Sequence, residues 1–139
     1  MPALSPRLAA IVEALPLAPG LRVLEFGCGP GAAAREVAHR VGPDGYVLGV
    51  DRSAKAIEQA RAHNAPATLA FRQSTIEAFE LEAGEPPYDL AFAIRVGALD
   101  GRHPDLEQRA LARIAAALTP AGRLFIDGGN PLRELDLPR

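Results

Sequence analysis

The order of apolar and polar segments predicts an α/β fold, a parallel sheet of five strands covered by helices on both faces. Three observations carry that reading. Short runs rich in strand formers alternate with longer helical stretches along most of the chain. The first run stops at a glycine-rich turn and the second at an aspartate, as strands feeding a ligand site do. A length of 139 residues with 48% hydrophobic and 23% charged residues supports one buried core and is too apolar for a disordered chain.

Leu8, Ile11, Val12 and Leu15 recur at helical spacing, and Pro16, Pro19 and Gly20 close that segment, so residues 1–20 form an N-terminal helical region. Arg22-Val23-Leu24-Glu25-Phe26 is the first strand, apolar enough to be buried in a parallel sheet. Ala32 to Arg40 has helical composition with Val37 and Ala38 inward, and Val41-Gly42-Pro43-Asp44-Gly45 turns the chain. Tyr46 to Val50 is the second strand and ends at Asp51; Ser53 then caps a helix reaching Arg61. Thr68 to Phe71 makes the third strand and Leu90 to Ile94 the fourth, with a short helical segment somewhere in residues 73–87. Pro104 to Leu118 carries Leu106, Ala110, Leu111, Ile114 and Leu118 on one face, and its proline suits a first turn. Thr119-Pro120-Ala121-Gly122 ends that helix, and Arg123 to Asp127 is the fifth strand. Right-handed crossovers between parallel strands give the order 3-2-1-4-5 and three layers. No repeat or linker divides the chain, so residues 1–139 read as one domain with a short tail, 128–139.

Several function classes are disfavoured. The formal net charge is -2 with both signs interspersed, so no basic footprint for nucleic acid or anionic membrane stands out. Cys28 is the only cysteine, which excludes an intrachain disulfide and a cysteine-based metal site and fits a reducing cytoplasm. Neither a signal-peptide layout nor a run of roughly 18 apolar residues is present.

In such a sheet a ligand binds beyond the carboxyl ends of the strands, where strand order reverses, between strands one and four. Gly27-Cys28-Gly29-Pro30-Gly31 lies there, and its glycines allow a sharp turn and close backbone approach to a ligand. Asp51 falls where a carboxylate can accept hydrogen bonds from a ribose diol. The combination implies a nucleoside-bearing cofactor. Gly27-x-Gly29-x-x-Ala32 with Asp51 also satisfies the dinucleotide fingerprint, so the pattern alone admits a nicotinamide cofactor as well. The turn could also be a plain strand-to-helix connection, and Asp51 a helix cap beside Ser53. Glu25 is harder to explain structurally, because a carboxylate in an apolar strand is costly unless something pairs with it.

Val23-Leu24-Glu25-Phe26-Gly27-Cys28-Gly29-Pro30-Gly31 closely resembles motif I of class I S-adenosylmethionine-dependent methyltransferases, an acidic residue followed by G-x-G-x-G. Val47 to Ser53, Tyr88 to Phe92 and Leu118 to Leu124 resemble their later motifs, so the likeness covers roughly residues 20–128. It implies a Rossmann-like fold that binds S-adenosylmethionine and yields S-adenosylhomocysteine. By the resemblance, Glu25 orients the methionine portion, Gly27, Cys28, Gly29 and Gly31 pass close to it, Asp51 holds the ribose hydroxyls and Arg52 flanks the adenine. An aspartate that often follows strand three in the family is absent; Ser74 is the nearest match, with Thr75 and Ala93 completing the cofactor set.

Methyl transfer is an in-line displacement that depends chiefly on positioning, so the catalytic residues stay unassigned, with His103, Arg95 and Asp127 as candidates from the loops after strands four and five. His103 is a candidate base or simply a helix start. Arg95 is suited to grip a carboxylate or phosphate, or to pair with Glu25 or Asp127. Asp127 and Asn130 offer two oxygens, too few for a magnesium site, so no metal is expected. Cys28 at a helix N-terminus invites a reading as nucleophile, set against its reading as a small turn residue. Pro86-Pro87-Tyr88 is similar to a motif of nucleic-acid amine methyltransferases but precedes strand four instead of following it, which counts against that activity.

Full-length family members continue into an antiparallel hairpin after strand five. Residues 128–139, with Pro131 and Pro138, are expected to lack that hairpin. The open edge of strand five would then be covered by the tail, through Leu132, Leu135 and Leu137, or by a second subunit in a homodimer. The implied activity is methyl transfer to a small-molecule or protein acceptor. Two other readings are a non-catalytic cofactor-binding module that serves a partner and, on the glycine pattern alone, an NAD-dependent oxidoreductase.

Overall fold

The computed structural model describes residues 4–138. Ser5 starts the first helix, α1 (Pro6–Ala14), by accepting the Leu8 N–H at 3.2 Å, with Pro6 in the first turn. Then come β1 (Arg22–Phe26), α2 (Ala32–Val41), β2 (Tyr46–Asp51), α3 (Ala54–Arg61) and β3 (Leu69–Gln73). A single 3-10 turn at Ile76–Ala78 precedes β4 (Tyr88–Ala93), α4 (Pro104–Ala117), β5 (Leu118–Asp127) and β6 (Leu132–Leu135). Ser53 caps α3 by accepting the Ala56 N–H at 3.1 Å.

The sheet order is β3-β2-β1-β4-β5-β6, with the first five strands parallel, as the alternation of elements requires. β1 is flanked by β2 and β4, so the reversal of strand order falls at its carboxyl end. Side chains alternate across each strand, and the two faces build separate cores. Val23, Val47 and Phe92 pack under α1, α2 and α3; Leu24, Leu48 and Ala91 pack under α4 and the 3-10 turn. By the same alternation Glu25 emerges on the face of Val23.

Two differences from the sequence reading concern strand five. β5 begins directly at Leu118 instead of at Arg123: Tyr88 pairs with Leu118 and Leu90 with Arg123, so residues 119–122 form a bulge that absorbs Pro120 within the strand. The second is that the tail, expected to cover the edge of strand five, does so as a strand: β6 pairs antiparallel with β5 from Leu124↔Leu135 to Asp127↔Leu132, one strand in the place of the family's strands six and seven. Four residues suffice because Leu132 packs on one core and Leu135, with Leu137, on the other. Arg123 also reaches across to Glu134 at 2.8 Å. The edge of β5 is thus covered by the chain's own tail, and the covering does not require a second subunit.

Candidate functional site

A cavity of about 740 Å³ opens at the carboxyl ends of β1, β2 and β4. That volume suits a nucleoside-sized ligand with room for a second molecule. Glu25, Gly27, Cys28, Gly29, Asp51, Arg52, Ser74 and Thr75 line it, as do Arg95 and His103. Gly31 and Ala93 do not. Ala93 is buried inside the sheet opposite Phe26. Gly31 caps α2 at φ 94, with its Cα against the Phe71 ring and the Arg35 guanidinium, so a side chain there would have no room.

The turn is held by its own backbone. The amides of Gly27 and Cys28 both donate to the Val50 carbonyl, at 2.7 and 3.0 Å, and Gly31 N–H donates to the Cys28 carbonyl. Gly29 N–H donates to Asp51 Oδ2 at 2.9 Å, while Asp51 Oδ1 accepts the Ser53 N–H at 2.9 Å. Asp51 therefore ties the turn to the end of β2, and the helix cap is Ser53. Pro30 has no N–H, so none of the turn's amides is left to cradle a phosphate.

Arg35 was not singled out from the sequence. Its side chain runs beneath the turn and donates to the carbonyls of Pro30 (3.2 Å), Ala60 (2.7 Å) and His63 (3.2 Å), with the guanidinium over the Phe71 ring. This joins the turn to the end of α3. An arginine within a helix whose other buried residues include Ala33, Ala34, Val37 and Ala38 was the available signal.

Glu25 is 2% exposed, and its Oε1 has no hydrogen-bond partner among the described residues. Burial first, and the charge of Asp51 second, push its carboxyl up to about 8. Burial first, then the nearby acidic groups Glu25 and Asp51, hold the Cys28 thiol above its usual range, which disfavours the thiolate that a nucleophile needs.

The other end of the cavity is built from distant parts of the chain. α1 contributes Ser5, Arg7 and Leu8, and the segment after β4 contributes Arg95, Val96 and Arg102. Asp127 links them: Oδ2 accepts Arg7 at 2.7 Å and Oδ1 accepts the Arg95 N–H at 3.1 Å. Arg95 thus meets Asp127 through its backbone, and it makes no pair with Glu25. His103 begins α4, donates its N–H to the Gly97 carbonyl at 2.9 Å and lays its ring against Gly97. Among the described residues no group of three His, Cys, Asp or Glu is placed to hold a metal ion, and no helix is long and apolar enough to cross a membrane. Pro86-Pro87-Tyr88 lies at the start of β4, on the opposite edge of the sheet, where Arg22 donates to both proline carbonyls.

The family model described as a methyltransferase domain matches residues 23–122. The chain is 33% identical to a trans-aconitate 2-methyltransferase of Methylobacterium nodulans, over 91% of this chain and 45% of that protein. It is 34% identical to nocamycin O-methyltransferase of Saccharothrix syringae, over 84% of this chain and 41% of that one. Among solved structures, the S-adenosylmethionine-dependent methyltransferase of Mesorhizobium loti superposes with a TM-score of 0.67 at 28% identity, covering 84% of this chain and 50% of the other. The chain therefore spans about half the length of these relatives or less. The match decides between the two cofactor classes that the glycine pattern admits. With 100 residues matched from β1 into β5, the chain belongs to the methyltransferase domain family.

Proposed function

We propose that this chain binds S-adenosylmethionine in the β1–β4 cavity and transfers its methyl group to a small-molecule or protein acceptor. One observation carries the reading. Two carboxylates, Glu25 and Asp51, line the cavity beside a turn whose amides are already bonded. Such a site suits a cationic nucleoside. The orphaned Oε1 of Glu25 fits this group, since a buried carboxyl without a partner gains most from a nearby positive charge.

When bound, the cofactor supplies a methyl group on a sulfonium, which passes in line to a nucleophile of the acceptor. The chain's own part is positioning and charge. Glu25 would release its proton to solvent and balance the ligand's positive charge, and Asp51 would offer its remaining lone pairs to ribose hydroxyls while still holding Gly29. Arg52, Ser74 and Thr75 would flank the adenine. His103, at the acceptor end, is the candidate base for acceptors that are protonated at neutral pH. The relatives named for trans-aconitate and nocamycin support a small-molecule acceptor, and one named for protein L-isoaspartate supports a protein acceptor. The described residues make up one cofactor-binding domain, and the lone cysteine suits a reducing cytoplasm.

Calorimetry with S-adenosylmethionine, S-adenosylhomocysteine and NAD tests this. Binding of the first two without NAD is the expected result; binding of NAD alone overturns the proposal.

A further inference from the structure

From the geometry at the acceptor end of the cavity we infer that the acceptor carries an anionic group, a carboxylate or phosphate, and that Arg95 is the residue that holds it. The inference rests on the methyltransferase reading above and names the chemistry of the molecule that reading leaves open. Arg95 has φ 57, and it is the one residue other than glycine with a positive φ among the described residues. A long side chain adopts that conformation only when its surroundings impose it. Here they do so from both sides of the residue. Its N–H donates to Asp127 Oδ1 at 3.1 Å, and its carbonyl accepts from Arg102 at 2.6 Å. Val96, the next residue, closes over Gly27, leaving no space for a side chain there.

The backbone is thus fixed; Arg95 lines the cavity, and its guanidinium is bonded to nothing among the described residues. The other cations at this end differ. Arg7 is paired with Asp127 at 2.7 Å, and Arg102 with Asp100 at 2.9 Å. Those two acids neutralise two arginines and leave the charge of Arg95 uncompensated. A planar fork of donors at a rigid position is suited to bidentate capture of a carboxylate or phosphate. The acidic groups Glu25 and Asp51 line the same cavity beside the glycine turn, so the site is polarised: a cationic ligand at one end and an anionic one at the other.

The test titrates the chain, saturated with S-adenosylhomocysteine, with citrate, with phenyl phosphate and with uncharged triethyl citrate. Arg95→Gln and Arg95→Gly are run beside the parent. Glycine removes the side chain and relieves the backbone, so Arg95→Gly should melt at or above the parent temperature and cannot fail by misfolding. At least one anion should bind the parent while triethyl citrate does not, and both variants should weaken that anion by roughly 10- to 100-fold. Affinity for S-adenosylhomocysteine should stay within about twofold. Citrate against phenyl phosphate separates a carboxylate from a phosphate acceptor. Failure of both anions to bind, equal binding by the variants, or an equal loss of S-adenosylhomocysteine affinity overturns the inference, the last assigning Arg95 to the cofactor's own carboxylate. If S-adenosylhomocysteine itself does not bind the parent, the cofactor reading falls and takes this inference with it.

Discussion

The two ends of the cavity are built in opposite ways. At the cofactor end, β1, the glycine turn and β2 are near neighbours in sequence, and buried strands and backbone hydrogen bonds hold them. Its acidic groups are Asp51 and Glu25, the latter buried with its Oε1 unbonded among the described residues. The acceptor end assembles Arg7, Arg95, Arg102 and Asp127 from three separate elements or loops, through ion pairs at the surface. Its cations are exposed and its geometry rests on side chains. A buried, backbone-built site presents one fixed shape, whereas an end held by surface pairs, which contribute little each, can be altered without disturbing the fold.

The most demanding test of this contrast is pH. Glu25 has a folded value near 8, above its ordinary 4.5, so its neutral form is favoured in the fold. Its contribution is complete below about pH 4.5 and is lost as pH rises to 8, on the order of 5 kcal/mol in all. Denaturant unfolding of the ligand-free chain from pH 5 to 9 should show this decline, and Glu25→Gln should remove most of it. A variant as pH-sensitive as the parent would mean that Glu25 is not the buried acid.

Next in size is the brace under the turn. Arg35→Met strands the carbonyls of Pro30, Ala60 and His63 and should cost about 3 kcal/mol in chemical denaturation, because buried acceptors lose their donor. A loss under about 1 kcal/mol would show that the turn stands without it.

Asp51→Ala should then weaken S-adenosylmethionine by about 2 kcal/mol in calorimetry, through lost ribose contacts and a slackened Gly29. Unchanged affinity would place the ribose elsewhere. The smallest effect belongs to the other end. Arg7→Ala breaks a pair whose arginine side chain is half exposed, and should change stability by less than about 1 kcal/mol while leaving cofactor affinity unchanged. A larger loss of stability would erase the distinction between the two ends.

The comparison also explains what could be read from the chain alone. The strands were legible because their apolar runs are short and end at glycine or aspartate, and the cofactor residues because Glu25, the turn and Asp51 lie within 27 consecutive positions. Arg35 was hidden because a buried arginine in a helix looks like any surface arginine until its acceptors are known. β6 was missed because two prolines in a short tail argue against a strand, while the two faces it packs against are formed by residues far upstream.

The sequence by itself determined the parallel five-strand order, the position of the ligand turn and the acidic character of the cofactor end, because these follow from local periodicity and contiguous motifs. Only the tertiary structure decided that the turn's amides are already bonded, that the tail pairs with β5, and that the guanidinium of Arg95, unlike those of Arg7 and Arg102, is unbonded among the described residues. Each depends on which distant groups meet, and Asp127, 32 residues from Arg95 and 120 from Arg7, joins both only once the sheet has formed.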